Sequence, residues 1–131
     1  RKHIISLAAV LETTHRQPNL DYGHLFRVIE NNCPDKEEMY EAFRRMCFNV
    51  YYENKDDHSK NFAFLFNEET WGYQLSPAYD LTRTSDKFEH EMTANRAGNP
   101  NDDDLLALAK EFRISLSECR KIMKKCKEIL L

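Results

Sequence analysis

Between Val50 and Leu75 the apolar residues of this chain change their period, and that change limits what the chain can fold into. Upstream, Met39, Phe43, Met46, Cys47 and Val50 recur at three- and four-residue intervals, the spacing of one helix face. Downstream, Phe62 to Phe66 and Trp71 to Leu75 are β-prone runs separated by Asn67-Glu68-Glu69-Thr70, which predicts a hairpin. Helical spacing then returns with Leu105, Leu106, Leu108, Ala109 and Phe112, and again with Cys119, Ile122, Met123, Cys126, Ile129 and Leu130. The expected fold is mostly α with one small β-hairpin in its middle.

Local signals set the helix ends. A first helix is expected over His3 to Thr14, closed by Gln17-Pro18-Asn19. Asp21 caps a second helix and Asp35 the long one, each a side chain able to accept an orphan N–H. Asn31-Asn32-Cys33-Pro34 breaks the chain between them. Glu37, Glu38, Glu41, Arg44 and Arg45 read as a solvated face of the long helix. Asn101 caps a helix whose first turn, Asp102-Asp103-Asp104, suits the positive end of the helix dipole. Ser115 to Glu118 is a capping box for the last helix. Residues 82–101 are polar, with a turn at Gly98-Asn99-Pro100. Arg120, Lys121, Lys124, Lys125 and Lys127 read as a solvated face of the last helix, with contact to an acidic partner or to DNA phosphate as the lesser reading.

The chain's 131 residues make one domain, and 41% apolar residues support a packed core. A net charge of −3 gives no bulk attraction to nucleic acid. Four cysteines at 33, 47, 119 and 126 form no C-x-x-C pair, so zinc-ribbon and thioredoxin sites are set aside. They read as small buried thiols of a protein in a reducing compartment. The longest apolar run, Ile4 to Leu11, is too short to span a bilayer.

The chemistry concentrates in Asn54-Lys55-Asp56-Asp57-His58-Ser59-Lys60-Asn61, just before the hairpin, and in Leu75-Ser76-Pro77-Ala78-Tyr79-Asp80-Leu81, just after it. Neighbouring strands lie about 5 Å apart, so a hairpin brings its two outer ends, and hence these segments, together. Phosphoryl transfer needs such a group: a carboxylate to accept the attacking hydroxyl's proton, and hard oxygen ligands for Mg²⁺. Asp56 and Asn61 stand five apart, as in the kinase pattern H-R-D-x-x-x-x-N, and Asp80 stands where D-F-G supplies its aspartate.

In wording, NKDDHSKNFAFLF followed by WGYQLSPAYDLT resembles the C-terminal part of HipA-type kinases, bacterial serine/threonine kinases that form the toxin half of toxin–antitoxin pairs. That family's usual form is close to D-x-H-x-K-N-F and then L-S-P-x-Y-D. EHEMT at 89–93 and GNP followed by DLLALAKEF resemble its downstream segment. The resemblance covers about residues 1–115. It implies the C-terminal, helical lobe of a protein-kinase-like fold, with Asp56 as catalytic base, Asn61 and Asp80 as magnesium ligands, and His58, Lys60 and Tyr79 beside the nucleotide. It further implies ATP and Mg²⁺ as cofactors, a serine or threonine of a protein as acceptor, and a helix-turn-helix antitoxin as partner. Nucleic acid would be met only through that antitoxin, in the cytoplasm and away from membranes. Asn54-Lys55 in place of His-Arg, and Tyr79-Asp80-Leu81 in place of Asp-Phe-Gly, depart from ordinary protein kinases. The three glycines, at 23, 72 and 98, form no phosphate loop, and no V-A-I-K-like lysine is present. The expectation is therefore a C-terminal lobe of a longer kinase, inactive by itself.

Two other readings use the same residues. Asp56, Asp57, His58 and Asp80 suit a metal-dependent phosphohydrolase in which the metal activates water, although the spacing to Asn61 is then unexplained. A kinase-like lobe that only docks a partner is the third.

Overall fold

The computed structural model describes residues 4–6, 20–52, 63–67, 72–75, 92–94 and 97–130. Among them four helices dominate: α1 (Tyr22–Asn32), α2 (Glu37–Tyr51), α3 (Asp102–Glu111) and α4 (Leu116–Leu130). Five short strands accompany them: β1 (Ile4–Ser6), β2 (Leu20–Asp21), β3 (Ala63–Asn67), β4 (Gly72–Leu75) and β5 (Met92–Thr93). No helix of the described residues is long and apolar enough to cross a membrane.

The caps act as their residue types dictate, with two shifts. Asp21 accepts the Gly23 N–H at 2.8 Å while its own N–H donates to His24 Nδ1 at 3.0 Å, a capping box with histidine as the returning group. Asn101 and Asp104 exchange bonds of 2.9 and 3.0 Å in the same way. For α2 the cap position falls on Lys36, not Asp35. Asp35 still accepts the Glu37 N–H at 3.0 Å, from one residue farther out. At α4, Ser115 Oγ takes the Glu118 N–H at 3.2 Å, but the box is not closed. The Ser115 N–H donates to the Tyr40 hydroxyl at 3.0 Å, and Glu118 turns to Lys121. Arg113 ends α3 with φ 58°. That left-handed turn lets the Ile114 N–H reach Ala109 O at 3.1 Å and the Arg113 N–H reach Lys110 O at 3.2 Å, satisfying the last carbonyls of the helix.

Three sequence expectations change. Ile4–Ser6, expected inside a first helix, is a strand. It pairs antiparallel with β3 in the register Ile4↔Leu65, Ile5↔Phe64 and Ser6↔Ala63; the remainder of the expected helix lies outside the described residues. A run apolar on all sides carries no period and fits a covered strand as well as a covered helix, and here β3 offers it backbone partners. Consequently β3 is the middle of a three-stranded sheet, β1-β3-β4, and not half of an isolated hairpin. Secondly, Met92–Thr93, within the polar stretch, pairs parallel with β2, and the bridge Ala94↔Ala97 follows it. Thirdly, Ile129 is 69% exposed, so the apolar stripe of α4 outruns the elements that cover it.

The core is built where α2 packs on α1 and α4, with α3 against α4 and β4 against α1 and α2. Tyr22, Leu25, Phe26, Phe43, Met46, Leu105 and Leu108 are completely or almost completely buried. The rings of Phe26 and Phe112 meet at 5.5 Å between centroids. The buried Asn49 amide donates to the Tyr22 hydroxyl at 2.9 Å, which satisfies both groups away from water. Two members of the expected solvated face depart from it: Arg45 is buried, its Nε donating to Glu41 at 3.0 Å, and Glu38 is half-buried.

All four cysteines are free, and Cys47, Cys119 and Cys126 are buried. Burial raises every thiol: Cys33 to about 12, with the nearby Glu38 carboxylate adding to the effect, Cys119 to about 11, and Cys47 and Cys126 in the same direction. Such thiols stay protonated and are poor nucleophiles; three are the expected core residues, while Cys33 is only half-buried at the edge of the core.

Candidate functional site

Asp56, His58, Lys60, Asn61, Tyr79 and Asp80 lie outside the described residues. The structure describes the frame to which they are attached. Strand β3 starts two residues after Asn61, and β4 ends five residues before Asp80. The pairing is antiparallel with Phe64 opposite Leu75, so the entry to β3 and the exit from β4 share one end of the sheet. Both polar segments are thus tethered at that end. No group of three or more His, Cys, Asp or Glu among the described residues is arranged to hold a metal ion.

Two contacts that sequence reasoning did not single out fix this frame. The first is at the end of α2 that leads into Asn54–Asn61. Tyr51 donates its hydroxyl to Asp102 at 2.7 Å, Lys127 donates to the other oxygen of Asp102 at 2.6 Å, and the Lys127 ammonium lies 5.1 Å from the centre of the Tyr51 ring. Partial burial pushes the Asp102 carboxyl up, but the bonds from Lys127 and Tyr51 and the charge of Lys127 outweigh it and hold the group below its ordinary range. Burial and the bond to Asp102 push the Tyr51 hydroxyl well above its ordinary range. At neutral pH, therefore, Asp102 is a carboxylate and Tyr51 a donor. The sequence showed Asp102 as a dipole partner and Lys127 as part of a solvated or partner-facing surface, because neither role reveals a contact within the chain that spans tens of residues.

The second contact is at the exit of β4. The Leu75 N–H donates to the Glu38 carboxylate at 3.3 Å, joining the last residue of the strand to the first turn of α2. Burial raises the Glu38 pKa, the bond from Leu75 lowers it, Asp35 and Glu41 raise it, and Arg45 lowers it, with a net upward shift. A carboxyl raised in the folded state costs stability when ionised. That cost is complete above the folded pKa and vanishes as the pH falls below the unfolded value. Glu38→Gln keeps an acceptor for Leu75 and removes the charge. The variant is expected to melt at a higher temperature than wild type at neutral pH, with the gap closing as the pH is lowered through the carboxylate range. Thermal unfolding of both proteins across that range checks it; a gap independent of pH would show that the charge is not the cause.

The whole chain was compared with known proteins. A family model described as the HipA-like C-terminal domain matches residues 1–130. No curated protein matches. Among solved structures, a chain of the complex of HipA, HipB and operator DNA from the toxin–antitoxin system of Shewanella oneidensis MR-1 matches with a TM-score of 0.77 at 17% sequence identity. The match covers 99% of this chain and 35% of that one, so the chain spans about a third of the length of this structural relative, and at this identity the likeness is one of fold. With the family model spanning nearly every residue, the chain belongs to the HipA-like C-terminal domain family.

Proposed function

We propose that the chain is the catalytic, helical lobe of a HipA-type serine/threonine protein kinase, the toxin of a toxin–antitoxin pair. The observation that carries this reading is the antiparallel register of β3 and β4, which puts the start of one and the end of the other at the same end of the sheet. In the chain, Asp56 and Asn61 precede that start and Asp80 follows that end. Membership of the HipA-like family supports it.

In this reading Asp56 accepts the proton of the attacking serine or threonine hydroxyl. Asn61 offers an amide oxygen and Asp80 a carboxylate, the hard donors that Mg²⁺ prefers, so the donor set fits the metal. Bound Mg²⁺ neutralises phosphate charge during transfer of the ATP γ-phosphoryl group. His58 and Lys60 supply positive or donor groups toward the nucleotide phosphates, and Tyr79 flanks the nucleotide. The helical core holds the frame, through Tyr51 on one side and Glu38 on the other. Positioning and electrostatics supply nearly all of the catalysis in this reaction, so an added lobe that covers the nucleotide is required for activity. A helix-turn-helix antitoxin is the proposed partner, in keeping with the HipB and operator DNA present beside the structural relative. DNA would then be met through that antitoxin. The protonated, unpaired thiols suit the cytoplasm.

Asp80→Ala tests the reading directly. In a full-length kinase carrying this domain it is expected to lower Mg²⁺-dependent ATP affinity at least tenfold, because a hard anionic ligand is lost. Calorimetric titration with ATP, with and without Mg²⁺, measures it. Unchanged affinity with unchanged metal dependence would remove Asp80 from the site.

A further inference from the structure

We propose that the cleft between α3 and α4 docks an acidic peptide segment bearing one apolar anchor side chain. The proposal is independent of the phosphoryl-transfer reading. The cleft has a volume of about 440 Å³, in the range of roughly 300–1,000 Å³ typical of small-ligand sites. Leu106, half-buried, and Met123, 5% exposed, give it an apolar floor. Methionine adapts its shape to different apolar partners. Arg120, Lys124 and Lys127 form its basic wall; they stand at i, i+4 and i+7 on α4, hence on one face.

The three cations are not equivalent. Lys127 is engaged by Asp102. Arg120 and Lys124 are exposed and make no ion pair among the described residues. A guanidinium pairs with a carboxylate in two parallel bonds, and Lys124 supplies a second positive charge one turn along the same face, its Cβ about 6 Å from that of Arg120. This pattern matches two carboxylates spaced along a peptide, with an apolar side chain between them entering over Leu106 and Met123.

Charge also selects against nucleic acid. Asp102 and Glu128 line the same cleft and Lys127 is already paired with Asp102, so the positive charge left for a ligand is confined to Arg120 and Lys124, enough for a pair of carboxylates and too little for a row of phosphates. A phosphate backbone is held by an uninterrupted set of cations, which this wall is not. An apolar floor contributes nothing to phosphate binding but does discriminate among peptides.

The test is an array of short fluorescent peptides, each with a pair of Asp or Glu residues around one Leu, Ile or Phe, measured by anisotropy against the 131-residue chain. Peptides with the anchor replaced by Ser, a basic peptide and a short DNA duplex are measured alongside. Anchor-bearing acidic peptides are expected to bind, more weakly as salt is raised. Affinity is expected to fall about tenfold in Arg120→Glu/Lys124→Glu, and also when the anchor becomes Ser. Arg120→Gln/Lys124→Gln should fall between wild type and the reversal. Both positions are exposed, so matching thermal unfolding of the variants shows that the fold is kept. Three results overturn the proposal: no peptide whose binding depends on Arg120 and Lys124, DNA binding that the same variant abolishes, or self-association of the chain that the variant disrupts, which would make a second copy the occupant.

Discussion

Asp56→Asn, in a full-length kinase carrying this domain, is expected to lower phosphoryl transfer by about 10²–10⁴-fold while leaving Mg-ATP affinity within a factor of two. The substitution keeps the size and one acceptor oxygen of the side chain but removes its capacity to take a proton. The proposed base acts on the acceptor hydroxyl and not on the nucleotide, so the loss belongs in turnover and not in ATP binding. Transfer of labelled phosphate to a serine-containing acceptor, paired with a calorimetric ATP titration, separates the two. Wild-type transfer by the variant would exclude Asp56 as the base. Loss of ATP affinity together with transfer would move Asp56 from the proton to the nucleotide. The isolated 131-residue chain serves as the reference, with transfer expected at the level of the Asp56→Asn variant.

Phe43→Ala is expected to be the most damaging of the core substitutions to stability. Phe43 is completely buried on α2, the helix that packs against α1, α4 and β4. Removing a buried phenyl ring costs about 3–5 kcal/mol through lost transfer energy and the cavity left behind. Domains have only about 5–15 kcal/mol of stability in total. The melting temperature should fall by roughly 10–20 °C. Ile129→Ala supplies the control: at 69% exposure it should change stability by no more than about 0.5 kcal/mol. A Phe43→Ala melt within a few degrees of wild type would mean that α2 is not the centre of the core. Because α2 also carries the Tyr51 and Glu38 contacts, the same substitution in a full-length kinase carrying this domain is expected to bring loss of the proposed Mg-ATP binding to a lower temperature than in wild type.

Much of the architecture is written in spacings of three and four residues. The stripe from Met39 to Val50, the apolar side of α3 and the run from Cys119 to Cys126 proved to be helix faces turned to one core, with Val50, Leu106 and Ile122 partly buried at its edge. The caps Asp21 and Asn101 were legible because a capping bond spans no more than three residues. The same holds for the strands Ala63–Asn67 and Gly72–Leu75, whose positions fall within a residue of the aromatic runs. The motifs at Asp56–Asn61 and Leu75–Asp80 pointed to the family that the comparison of residues 1–130 bears out. The placement of their side chains lies outside the described residues, so their roles rest on the experiments above.

What the sequence by itself determined is thus the set of local structures and the family: helix periods, caps, thiols suited to burial, and motif wording, each expressed within a few neighbouring residues. Tertiary structure alone decided the rest. Ile4–Ser6 became a strand because β3, some sixty residues away, presents an open row of backbone donors and acceptors, and an apolar run without a period has no preference of its own. Asp102 became a clasp for Tyr51 and Lys127, Glu38 a hold on Leu75, and Arg120 and Lys124 the wall of a cleft. A charged residue on a helix looks the same in sequence whether it faces water or a partner brought to it by the fold. The hydrogen bonds and Coulomb interactions that separate the two cases act over a few ångströms of space, a distance that packing sets and chain order does not record.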